Sequence, residues 1–215
     1  MTQIKICGLF RNEDIDFARE ANPDYAGFIL NFPKSRRNLS PERAARLRAL
    51  LPGTIRAVGV FVDRPISEVI QAARLIRLDV IQLHGREENA YIRELREKTR
   101  LPIWKAFRVS AKEDLAAPLE SAADEILLDS GQGTGQAFDW QLLAGFSRPF
   151  ILAGGLTPEL IPEAVRRLRP KIVDLSSGVE TEGIKDRVKM IAAVQAVHNT
   201  AEETPNRESQ RNTDE

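Results

Sequence analysis

The sequence predicts a single α/β domain folded as a (β/α)8 barrel. Three observations carry that expectation. Eight short apolar runs, at 3–7, 25–30, 55–62, 79–83, 101–107, 125–129, 149–153 and 171–175, alternate with longer amphipathic segments. Most of these runs are apolar at successive positions rather than at every second one, the pattern of parallel strands with helices on one face and packed side chains on the other. Reactive and flexible residues recur at the carboxyl ends of the runs, where TIM barrels carry their chemistry. An open doubly wound sheet is the main competitor. It calls for a dinucleotide-binding glycine pattern after an early strand, and Cys7-Gly8-Leu9-Phe10-Arg11 has none.

The 215 residues hold 31 Lys and Arg against 31 Asp and Glu, so the formal net charge is zero; 42% are hydrophobic, enough for one well-buried core. No excess of basic charge points to nucleic acid or to an anionic membrane. The lone cysteine forms no internal disulfide and fits a reducing compartment. Met1-Thr2-Gln3-Ile4-Lys5 lacks the features of a signal peptide, and no apolar run approaches the roughly 18 residues of a membrane span, so a cytoplasmic protein is expected. From 199 to 215 there is no Val, Ile, Leu or aromatic residue, which makes 1–198 the expected domain and 199–215 a disordered polar tail.

The segments between the runs carry helical spacing. Ser40 before Pro41 reads as a cap with proline at the first helical position, leading Ala44, Leu47, Leu50 and Leu51 onto one face. Ile66, Val69, Ile70 and Ala73 form a second stripe after Pro65. Residues 87–98 keep Ala90, Tyr91, Leu95 and Lys98 at helical spacings. Thr157-Pro158-Glu159-Leu160 repeats the capped start before Ile161, Ala164, Val165 and Leu168. Ile184, Val188, Ile191 and Val194 mark the last helix.

The strand ends deliver Cys7, Asp63, His84-Gly85, Arg108, Asp129, Gly154-Gly155 and Ser176-Ser177-Gly178. Gly154 and Gly155 permit close backbone approach to an anion, Ser177 offers a hydroxyl donor, and Gly178 frees further backbone donors. Consecutive loops of this kind suit a phosphate, which barrels often hold after their last two strands. Gly131-Gln132-Gly133-Thr134-Gly135 is a polar loop able to close over a ligand, without the spacing of a nucleotide phosphate loop. Asp129 ends an apolar strand and is either an acid, where partial removal from water disfavours the charged form, or a helix cap or ordinary loop carboxylate. Cys7 is either a small buried hydrophobe or a base, and the second role needs a nearby positive charge or helix terminus. His84 can bind a polar ligand, move a proton or pack structurally; His198 is the only other histidine, so no metal site is expected. Lys34-Ser35-Arg36-Arg37 follows a strand, and one of its arginines can pair bidentately with a carboxylate.

Ordered strings along the chain closely resemble phosphoribosylanthranilate isomerases of tryptophan biosynthesis. They are KICG at 5–8, GFIL at 27–30, SRR at 35–37, VGVFVD at 58–63, IQLHG at 81–85, LLDS at 127–130, GTGQAFDW at 133–140, LAGGL at 152–156, VDLSSGVE at 173–180 and GIKD at 183–186. The resemblance spans nearly all of 3–196. It implies a cofactor-free and metal-free barrel that converts N-(5-phosphoribosyl)anthranilate to 1-(2-carboxyphenylamino)-1-deoxyribulose 5-phosphate. It implies Cys7 as general base, Asp129 as general acid, and Arg37 rather than Arg36 at the anthranilate end. Gly154, Gly155, Ser177 and Gly178 are the implied phosphate grip, with His84 also in the substrate site. The chain departs from the usual pattern at Asn31-Phe32, at Gly131-Gln132-Gly133 and at Leu160-Ile161. An isomerase of an aminoimidazole ribonucleotide from histidine synthesis would share barrel and phosphate grip, but calls for a carboxylate in place of Cys7. A non-catalytic phosphate-binding barrel would not need the Cys7 and Asp129 pair.

Overall fold

Parallel strands close into a ring in the computed structural model, which describes residues 1–129, 140–143 and 145–202. In chain order the strands are β1 (Gln3–Cys7), β2 (Tyr25–Leu30), the two-residue β3 (Asn38–Leu39), β4 (Arg56–Phe61), β5 (Val80–Leu83), β6 (Ile103–Arg108), β7 (Glu125–Asp129), β8 (Phe150–Ala153) and β9 (Ile172–Leu175). All except β3 form the wall, each parallel to its neighbours. The ring closes where β1 meets β9, Ile4 opposite Val173, and β2 on its other side, Cys7 opposite Gly27. The doubly wound alternative is thereby excluded, since an open sheet leaves two unpaired edges. The predicted Gly131–Gly135 loop lies outside the described residues.

The helices are α1 (Asn12–Ala21), α2 (Pro41–Leu50), α3 (Ile66–Ile76), α4 (Asn89–Lys98), α5 (Ala116–Glu120), α6 (Ile161–Leu168) and α7 (Arg187–Glu202). Between β7 and β8 the described residues hold only a 3₁₀ turn, Trp140–Leu143. Ser40 caps α2 through its hydroxyl, which accepts from the Arg43 amide. Leu50, expected on the buried face of α2, is 52% exposed, while Ala44 and Leu47 are fully covered. In α4 the buried pair is Ile92 and Leu95, not Ala90 and Lys98. The helix begins after Glu87, whose carboxylate accepts the Asp63 and Gly85 amides.

Two further expectations shift. α6 starts at Ile161 rather than Pro158. A helix begun at 158 would place Pro162 where an amide must donate to the carbonyl four residues back, and proline has none. Ile184 stands outside α7, and Val188 faces solvent; Met190, Ala193, Val194 and Val197 are the buried face. α7 also runs four residues past the boundary expected at 198. Thr200 is buried and its hydroxyl donates to the Ala196 carbonyl. Residues 203–215 of the expected tail lie outside the described residues. Among the described residues no helix is long and apolar enough to cross a membrane.

Two apolar layers follow from the alternation of side chains along each strand. Val58, Val80, Trp104, Leu127, Ile151 and Ile172 fill the barrel interior, with Tyr25 meeting Trp104 edge to face at 4.9 Å between ring centroids. Ile4, Ile6, Ile81, Leu83, Ile126, Leu128, Leu152 and Val173 point outward and pack beneath the helices.

Candidate active site

That alternation also decides which polar side chains reach the interior. On β1 the outward pair Ile4 and Ile6 leaves Lys5 and Cys7 inside. On β5 the sequence Val80, Gln82, His84 points inward; on β7 Leu127 and Asp129 do; on β9 Ile172 and Asp174 do. On β5, β7 and β9 an apolar residue (Val80, Leu127, Ile172) lies beneath the polar one, whereas β1 places buried Lys5 beneath Cys7. The result is a cavity of about 600 Å3 at the mouth. Cys7, Arg37, His84, Asp129, Gly154, Gly155, Ser177 and Gly178 all line it, joined by Arg36, Gln82, Asp174 and Ser176, with Phe32, Val60, Val62 and Leu156 as apolar wall. Asp63 and Arg108, also at strand ends, do not. Asp63 instead accepts the Arg86 amide at 2.6 Å.

Cys7 is 8% exposed and faces Gly27 across the β1–β2 pairing. A Cβ on Gly27 would come within 2.8 Å of Cys7 Sγ and 3.1 Å of Lys5 Cε, so this glycine makes room for both side chains. Lys5 has no solvent exposure, and its Nζ donates to Asp174 Oδ2 at 2.7 Å, the length of a charge-assisted bond. Asp174 Oδ1 is buried without a hydrogen-bond partner among the described residues, and so is Gln82 Oε1; both residues line the cavity. Burial pushes the Cys7 thiol above its ordinary pKa; Lys5 pulls it down, Asp174 adds to the rise, and Lys185 opposes it. Burial also works against the charge of Lys5, yet Asp174 and Cys7 carry its pKa above the usual lysine value. For Asp174 burial prevails over the pull of Lys5 and holds the carboxyl above the ordinary carboxylate value. The short Nζ–Oδ2 contact is nevertheless that of an ion pair, with Lys5 charged.

His84 Nδ1 lies 3.0 Å from Gln82 Nε2, and its Nε2 lies 3.7 Å from Asp129 Oδ2. With an amide nitrogen donating to Nδ1, the network assigns the imidazole proton to Nε2, on the Asp129 side. Withdrawal from water lowers the His84 pKa, against the opposing attraction of Asp129.

Arg37 bonds Glu180 bidentately, Nε to Oε1 and Nη2 to Oε2, both at 2.6 Å. Its aliphatic stem crosses Gly8, where a Cβ would lie 2.4 Å from Arg37 Cδ. Arg36 also reaches Glu180, at 2.8 Å, but its side chain is 57% exposed against 17% for Arg37. The loops after β8 and β9 meet closely. Gly154 and Gly155 have φ of 92° and 65°, and a Cβ on Gly178 would fall 1.8 Å from the Leu156 carbonyl oxygen. Glycine without a Cβ adopts these left-handed angles freely and lets a ligand approach the backbone closely.

The family model described as N-(5'-phosphoribosyl)anthranilate (PRA) isomerase matches residues 4–196. The chain belongs to this family. The isomerase of Endomicrobium trichonymphae is 46% identical over 199 residues, 90% of this chain and 97% of that protein. A crystal structure of monomers made from the dimeric isomerase of Thermotoga maritima superposes with a TM-score of 0.82 at 36% identity, covering 93% of this chain and 100% of that one. Another solved isomerase, in complex with reduced 1-(o-carboxyphenylamino)-1-deoxyribulose 5-phosphate, superposes with a TM-score of 0.80 at 35% identity over the same shares.

Sequence reasoning assigned no role to four charged residues of this isomerase: Lys5, Asp174, Glu180 and Lys185. All four are buried. A signal existed for the first two. A lysine two residues before Cys7 shares its strand face, and an aspartate inside an apolar strand is a charge that needs a partner.

Proposed function

We propose that the chain isomerises N-(5-phosphoribosyl)anthranilate to 1-(2-carboxyphenylamino)-1-deoxyribulose 5-phosphate, a step of tryptophan biosynthesis, in the cytoplasm and with this phosphorylated small molecule as its partner. The observation that carries the reading is a single cavity holding Cys7 and Asp129 at two strand ends, in a chain that matches the family over 4–196. Asp129 acts as general acid on the ribose ring oxygen, opening the ring to a protonated imine. Cys7, as thiolate, removes the proton from C2. The resulting enolamine gains a proton at C1 as its C2 hydroxyl gives one up, and becomes the aminoketose. Hydrogen moves only within the substrate and its proton carriers, so the reaction consumes no external oxidant and calls for no cofactor or metal.

The order of strands around the rim supports this division of roles. β8 and β9 stand between β7 and β1. The Gly154-Gly155 and Ser177-Gly178 loops therefore occupy the arc between acid and base, where they take the phosphate. Arg37 approaches from the loop after β2, on the other side of Cys7, and takes the anthranilate carboxylate. His84 flanks Asp129 and contacts the substrate between these two ends. Two handles far apart hold the sugar carbons over the reactive pair.

The decay of substrate fluorescence measures turnover. Cys7→Ser and Asp129→Asn should each keep the fold and lower kcat by about 10²- to 10⁴-fold, the range for loss of a positioned acid or base. A folded variant with wild-type kcat would falsify the role of the residue replaced.

A further inference from the structure

Glu180 is 3% exposed and accepts four hydrogen bonds from three cations. Oε1 receives Arg37 Nε at 2.6 Å and Lys185 Nζ at 2.7 Å; Oε2 receives Arg37 Nη2 at 2.6 Å and Arg36 Nη2 at 2.8 Å. A carboxylate has about four acceptor positions, so this one is saturated and has no capacity left for substrate. Burial alone would raise its pKa, but the bonds from Arg37 and Lys185 hold it below the ordinary carboxylate value. One negative charge against three positive ones leaves this corner of the cavity cationic.

The local backbone builds the arrangement. β10 (Glu180–Thr181) and β11 (Ile184–Lys185) form a two-stranded hairpin in which Glu180 stands directly opposite Lys185. Its two turn residues, Glu182 and Gly183, have φ of 51° and 82°, as a two-residue hairpin loop requires. Arg36 lies over Gly183, where a Cβ would meet Nη1 at 1.9 Å. The hairpin and the Ser35–Arg37 loop therefore clasp each other through Glu180. With Nε and Nη2 of Arg37 engaged, Nη1 is the guanidinium nitrogen without a partner among the described residues.

We propose that Glu180 is a positioning residue: by gripping the Nε–Nη2 edge of Arg37 it presents Nη1 to the carboxylate at the anthranilate end of the substrate. This rests on the reading of Arg37 given above. It assigns a task to a hairpin whose residues do not line the cavity, and it separates recognition of the anthranilate end from that of the phosphate end.

Steady-state kinetics on Glu180→Gln, Arg37→Ala and the double variant test it, together with competitive inhibition by inorganic phosphate. Glu180→Gln should raise KM about tenfold, as loss of one charge-assisted contact does, and leave kcat within about threefold. The Ki of phosphate should not change. The double variant should match Arg37→Ala in kcat/KM within about twofold, because two residues acting through one contact are not additive. A wild-type KM in Glu180→Gln, a phosphate Ki weakened in parallel with KM, or a double variant carrying the product of both penalties would each overturn the proposal. Arg37→Ala with an unchanged KM would overturn the Arg37 assignment and this inference with it; a raised KM there beside an unaffected Glu180→Gln overturns this inference alone. If Glu180→Gln does not fold, Glu180→Asp retains the charge but not the reach. It should show the same KM rise, and a wild-type KM in it counts against the proposal.

Discussion

Cys7 sits between opposing influences. Burial disfavours its thiolate, while Lys5 and Lys185 favour it, and burial prevails. A thiol with a raised pKa is protonated below that value, so the free protein should be slow to react with iodoacetamide at neutral pH. The alkylation rate should climb with pH to a midpoint above that of an ordinary thiol; a midpoint at or below it would show that the lysines dominate. Gly27 has the complementary role of leaving space. Gly27→Ala brings a methyl group within 2.8 Å of Sγ, and the thiol must turn away. The expected cost is about 1–3 kcal/mol in denaturant unfolding, as for overpacking elsewhere. The loss in kcat should exceed what that destabilisation explains, and an unaltered kcat would mean that the thiol's direction is unimportant.

Elements carry the site through their ends. The hairpin after β9 depends on a left-handed residue at Gly183 and on the space beside it. Gly183→Val strains the backbone there, at roughly 1–3 kcal/mol, and collides with Arg36. Thermal unfolding should show a lowered Tm, and kinetics a raised KM; an unchanged KM would detach the hairpin from substrate recognition. Several element boundaries were legible because a single side chain decides them: Ser40 and Pro41 start α2 as the sequence indicates. Others were not. Glu87 reads as the opening of a helix in one dimension, but its carboxylate is committed to two amides and lies 3.4 Å from Lys105. Val188 has the right spacing for α7 and still faces solvent, because the direction of a helix's buried face is set by the wall it packs against.

For the whole molecule, the Lys5–Asp174 pair joins β1 to β9 at the seam where the ring closes. Both charges are out of water, so removing one partner strands the other. Lys5→Met should destabilise by about 3–5 kcal/mol in chemical denaturation, and Lys5→Met with Asp174→Leu should recover much of that loss. A single variant as stable as wild type would mean that Asp174 is neutral in the folded protein. The same closure sets the rim order Cys7, Arg37, His84, Asp129, then the Gly154-Gly155 and Ser177-Gly178 loops.

The eight wall strands, the barrel class and the clustering of reactive residues at strand ends were readable from the sequence, because strand spacing and apolar runs are local properties. The strings around Cys7, Asp129 and the two glycine loops were likewise legible, each being contiguous. Tertiary structure alone decided that β8 and β9 stand between Asp129 and Cys7, and that Asp174 meets Lys5 from 169 positions away. It alone brought Glu180 to Arg37, 143 positions apart. Those partners are chosen by the closure of the ring, and a charged residue's partner on a strand or loop distant in sequence leaves no mark on the residues beside it.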